Sequence, residues 1–98
     1  MQQSMIDKLN VFFLRQPVEK AWIFGSYSRN KETQDSDIDV LVRFDRNATI
    51  TLFKYAAMIE ELQKLLRKKI DLVEEGQVKD FAKDAVEQDK ILVYERKP

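Results

Sequence analysis

Met5, Leu9, Phe12 and Phe13 recur at helical spacing, which predicts an amphipathic helix over residues 3–15, capped by Ser4 or an earlier residue. Pro17 ends it, because proline disfavours helical geometry in the residue before it. Val18 to Phe24 reads as a strand, and Gly25 to about Lys31 as a turn that opens a short helix. The stretch from Lys31 to Ser36 is wholly polar and reads as a loop. The clearest strand is Ile38 to Phe44, where side chains alternate. Ile38, Val40, Val42 and Phe44 share one face, and Asp37, Asp39, Leu41 and Arg43 the other. Leu52, Tyr55, Ala56, Ile59, Leu62, Leu65 and Leu66 form the stripe of a long helix, capped at Thr49 or Thr51 and running to about Lys68. There the basic run Arg67-Lys68-Lys69 suits the negative end of the helix dipole. Ile70 to Val73 is a short strand; Val78, Phe81, Ala82, Ala85 and Val86 mark a third helix; Ile91 to Tyr94 is a last strand. The fold class is therefore α/β (α+β), with helices packed on a small mixed sheet of about four strands.

Composition narrows the chemistry. Ninety-eight residues predict a single domain, residues 1–98, with one modest core. With neither cysteine nor histidine, the chain has no disulfide, thiolate zinc site, cysteine nucleophile or histidine base. Carboxylate, hydroxyl, lysine and arginine chemistry remains, and carboxylates suit hard cations such as Mg²⁺ or Mn²⁺. Lys plus Arg balances Asp plus Glu at 17 each, so no net field favours nucleic acid or a membrane surface. No run approaches the ~20 apolar residues of a membrane span. The N-terminus lacks a signal peptide's basic start and apolar centre, so a cytoplasmic setting is expected.

Three features carry candidate chemistry. Gly25-Ser26 follows a strand and precedes a helix start, a place where backbone N–H groups can receive a phosphate. Arg29 lies near the same turn and could reach a phosphate oxygen. Asp37 and Asp39 lie about 7 Å apart on one face of a strand, where like charges repel unless a cation or a basic partner sits between them. Asp71 interrupts a second apolar run and joins them if the two strands are neighbours. Each feature also has a plain alternative: a simple turn with a surface arginine, an aspartate paired with lysine or arginine, and an exposed strand-edge aspartate.

Taken together, Gly25-Ser26, ten residues, Asp37-Ile38-Asp39 and a later strand aspartate resemble the signature of the nucleotidyltransferase superfamily related to DNA polymerase β. The size and the runs Ile23 to Arg29, Ser36 to Val42 and Ile70 to Val73 look like its minimal nucleotidyltransferases, antitoxin partners of HEPN-domain proteins. The resemblance implies that Gly25, Ser26 and Arg29 bind the triphosphate of ATP or another nucleotide. It implies that Asp37, Asp39 and Asp71 are the catalytic residues and ligands of two Mg²⁺ ions. It further implies transfer of a nucleoside monophosphate, AMP from ATP, to a hydroxyl of a protein acceptor, in a toxin–antitoxin pair. One departure is visible: Ser28 and Asn30 stand where many relatives have alanine and glycine, and asparagine tolerates a left-handed backbone better than most residues. The competing reading is a catalytically weak module that neutralises its partner by occlusion, as part of a homo- or hetero-oligomer. Transfer to a small molecule such as an antibiotic lacks a substrate domain.

Overall fold

The computed structural model describes residues 2–97. The elements run α1 (Gln3–Leu14), β1 (Val18–Phe24), β2 (Ile38–Phe44), α2 (Leu52–Leu66), β3 (Ile70–Glu74), α3 (Asp80–Asp89) and β4 (Ile91–Glu95). Single 3₁₀ turns, Gly25–Tyr27 and Glu75–Gln77, follow β1 and β3. The four strands form one mixed sheet in the order β3-β2-β1-β4. β1 is antiparallel to β2 and β4, whereas β3 runs parallel to β2. A parallel neighbour requires a crossover, and α2 supplies it.

Alternation along the strands makes the two sheet faces chemically different. Ile38, Val40 and Val42 of β2, Ala21 and Ile23 of β1, Ile70 and Leu72 of β3 and Val93 of β4 belong to the buried core. Leu9 and Phe13 of α1 and Met58 and Leu62 of α2 complete it, all with no exposed surface. Each such side chain contributes about 1.5–3 kcal/mol by leaving water. On the other face Trp22 pairs in register with Leu41, and Asp39 follows two residues earlier on β2. Two cations stand over the Trp22 ring, Arg43 at 5.6 Å and Lys90 at 4.7 Å from its centre. A cavity of about 240 Å³ lined by Leu41, Val78, Val86 and Lys90 opens beside α3 on this face, and α3 has no buried residue.

Several expectations shift. Ser4 lies inside α1, and Gln2 occupies the cap position without a side-chain cap bond. Thr51 caps α2, its Oγ1 accepting from the Lys54 N–H at 3.1 Å. α2 stops at Leu66, so the basic run lies beyond it; Arg67 is the left-handed C-cap, and Lys64 is the cation of the last turn. The buried stripe is centred on Met58 and Leu62, with Tyr55, Ile59 and Leu66 packed beside it. Leu52, in contrast, is 83% exposed and Leu65 38%. Leu52 belongs to the first turn, beyond the covered part of the sheet, and Leu65 lies one position round the helix from the contact line. Phe81 of α3 is likewise exposed.

Candidate active site

The site is built where β1 ends and β2 and β3 begin. The Ile38 N–H donates to the Lys69 carbonyl at 2.9 Å, and this bond starts the parallel pairing. Asp39 is the second residue of β2 and Asp71 the second of β3, and they are direct register partners. Parallel neighbours lie about 4.8 Å apart and direct paired side chains to the same face. On its other side Asp39 pairs with Phe24, which delivers Gly25 to its carboxylate. Gly25 has φ of +72°, and a Cβ there would overlap Asp39 Oδ2 and stand 3.1 Å from its Cγ. Glycine is thus required twice, by backbone conformation and by close approach.

After Gly25 the chain makes a 3₁₀ turn rather than the start of a helix. The N–H groups of Ser28, Arg29, Asn30 and Lys31 are used inside it, bonding to Gly25, Ser26, Tyr27 and Ser26 carbonyls. Ser28 Oγ also donates to the Gly25 carbonyl at 2.7 Å. The N–H groups of Ser26 and Tyr27 take no part in these turn bonds. A phosphate would therefore meet individual N–H donors and the Ser26 hydroxyl, without the dipole of a long helix. Asn30 has φ of 56°, the left-handed conformation for which asparagine is suited.

The electrostatics single out Asp39. Burial, then the facing charges of Asp71 and Asp37, raise its pKa from 3.8 to about 6, and the Arg29 charge partly opposes this. Asp39 is half-buried, whereas Asp37, one residue before β2, and Asp71 are exposed. Among the described residues none of the three is in a salt bridge. Nor, among those residues, does any set of three acidic side chains stand close enough to hold a metal ion as placed. Like charges keep apart, and side-chain rotation from adjacent strand positions is what would bring them onto a cation. The donor set is all carboxylate oxygen, which fits Mg²⁺ or Mn²⁺ and no softer metal.

Arg29 is not aimed at an empty space. Its Nη1 pairs with Asp89 Oδ2 at 2.5 Å, linking the turn to the last residue of α3. Sequence reasoning missed Asp89, which lies 60 residues away with no motif around it. A neighbouring concavity of about 460 Å³ is lined by Lys8, Tyr27, Thr33, Ile38 and Lys68 among others, but by none of the three aspartates.

Comparison with known proteins fits this geometry. A family model described as a nucleotidyltransferase domain matches residues 6–93. A chain of Methanocaldococcus jannaschii, provisionally named a protein adenylyltransferase, is 38% identical over 77 residues, 78% of this chain and 77% of its own. In the crystal structure of a toxin–antitoxin pair with AMP-PNP, one chain superposes with a TM-score of 0.78 at 19% identity, over 94% of this chain and 74% of that one. A chain from the complex of a tri-AMPylated Shewanella oneidensis HEPN toxin with its MNT antitoxin gives a TM-score of 0.70 at 22% identity, covering 98% and 74%. At such identities the two complexes speak to the fold alone.

Proposed function

The chain belongs to the nucleotidyltransferase domain family, and from that membership we propose that it is a protein adenylyltransferase, moving AMP from ATP to a hydroxyl of a HEPN-domain toxin as the antitoxin of the pair. The observation that carries this is the Asp39–Asp71 register beside Gly25, where strand pairing puts two carboxylates opposite one another. A pure binding module gains nothing from carboxylates so placed. The printed names support it: one relative is provisionally named a protein adenylyltransferase, and one neighbour by fold is a chain from a complex of an AMPylated HEPN toxin with an MNT antitoxin.

In this reading Gly25 and the Ser26 N–H and hydroxyl receive the triphosphate, and Arg29 offers further donors to its oxygens. Asp37, Asp39 and Asp71 would hold the divalent cations, two Mg²⁺ or Mn²⁺ ions, which would supply charge neutralisation at the phosphates and a more acidic acceptor hydroxyl. Asp71, the more exposed of the register pair, would take the proton from the acceptor hydroxyl. The acceptor oxygen bonds to the α-phosphorus as the bond to the β-phosphate oxygen breaks, and pyrophosphate leaves. Positioning and charge stabilisation suffice, which is how a chain without histidine can do it. Both exposed carboxylates face an open surface, so the partner covers the site and brings the acceptor with it. A cytoplasmic setting supplies the ATP.

The test is label transfer from ATP to a HEPN-domain protein encoded beside this chain. Label at the α-phosphate is expected on a hydroxyl of that partner, and label at the γ-phosphate is not. Asp39→Ala is expected to abolish metal-dependent ATP binding while the fold persists. Unchanged Mg²⁺-ATP binding in that variant contradicts the assignment. Neutralisation of the partner without any label on it favours occlusion.

A further inference from the structure

We propose that Asp89 is a positioning residue, holding the Arg29 guanidinium in place at the phosphate site. The inference rests on reading that site as a nucleotide site. Arginine is a long side chain that loses much of its rotamer freedom when fixed. Arg29 stands on a turn with its side chain 48% exposed, and its guanidinium is bonded through Nη1 to Asp89. The pair uses Nη1 alone, which leaves the donors at Nε and Nη2 for another anion.

The carboxylate is held more firmly than the arginine. Asp89 ends α3 and its side chain is only 20% exposed. The next residue, Lys90, donates its N–H to the Val86 carbonyl and lays its Nζ over the Trp22 ring. Ile91 then pairs with Ile23 in β1. Asp89 and Gly25 therefore each lie two residues from the same paired rung, on neighbouring strands. The sheet register itself brings the helix end to the turn.

Stability gives little reason for an aspartate there. A carboxylate at a helix C-terminus faces the negative end of the dipole. A partly exposed ion pair adds little, because water screens it and fixing both side chains costs entropy. Its placement suits a different purpose, in which Asp89 anchors one edge of the guanidinium and the rest reaches toward Asp39 and the phosphates.

The experiment measures Mg²⁺-ATP affinity by calorimetry for the full chain, for Asp89→Asn, Asp89→Ala, Asp89→Glu and Arg29→Ala, and for the Arg29→Ala/Asp89→Ala double variant. Asp89→Asn and Asp89→Ala are expected to weaken binding about tenfold, with melting temperatures within about 3 °C of wild type. Asp89→Glu should recover part of the loss. Because Asp89 acts through Arg29, the double variant should bind no more weakly than Arg29→Ala alone. Wild-type affinity in Asp89→Ala, or losses that multiply in the double variant, overturns the proposal. Failure of the wild-type chain itself to bind Mg²⁺-ATP overturns the nucleotide reading, and this inference with it.

Discussion

Replacing Asp39 with asparagine removes one charge and keeps the shape of the side chain. In the metal-free protein that charge opposes folding, because Asp39 is half-buried and faces Asp71 and Asp37. The displacement of its pKa from 3.8 to about 6 corresponds to about 3 kcal/mol, at about 1.4 kcal/mol for each tenfold change. Water reaches the site and screens it, which lowers the expected figure to about 1–2 kcal/mol. The folded state holds the Asp39 proton more tightly than the unfolded chain does. The burden is therefore nearly absent at pH 4, grows as pH rises from 3.8 to about 6, and is complete above that. Asp39→Asn should accordingly stabilise the protein in EDTA at pH 7.5, raising its melting temperature by about 5–10 °C for a domain of this size. At pH 4 the two proteins should melt nearly together. Thermal unfolding followed by circular dichroism at pH 4, 5 and 7.5 measures both effects. Magnesium should narrow the gap at pH 7.5 by stabilising the wild type alone. A variant no more stable than wild type at pH 7.5, or one equally favoured at pH 4, refutes the electrostatic account.

Gly25→Ala forces a side chain into a left-handed position against the Asp39 carboxylate, and should cost about 1–2 kcal/mol in urea unfolding together with most of the nucleotide affinity. Arg67→Gly should stabilise by about 0.5–1 kcal/mol in the same assay, since the φ of 56° at this helix end strains arginine more than glycine's added chain entropy costs. Leu62→Ala should cost about 2–5 kcal/mol because the residue has no exposed surface, whereas Phe81→Ser, at an 87% exposed position, should stay within about 0.5 kcal/mol.

How much was legible in the sequence differs from element to element. β1 and β2 begin and end where their patterns predict, because alternation bounded by Pro17, Gly25 and the polar run up to Ser36 leaves little choice. The stripe of α2 holds at Tyr55, Ile59, Leu62 and Leu66, whereas Leu52 and Leu65 match a helical period as well as Met58 does, and only the direction of the sheet beneath decides which of them is covered. Helix ends were similarly underdetermined, since Arg67-Lys68-Lys69 reads as a favourable last turn until Arg67 is seen to leave the helix.

The linear order of residues determined what chemistry is available and where each strand carries it. Gly25, Asp37, Asp39 and Asp71 are visible in it because glycine and aspartate are costly in such places and so stand out from their neighbours. Two things were left to the tertiary structure. A parallel register decides that Asp71 stands opposite Asp39 rather than one residue away on the other face. The pairing of β4 with β1 decides that Asp89 meets Arg29. Both depend on hydrogen bonds between segments far apart in the chain, and no local preference encodes those.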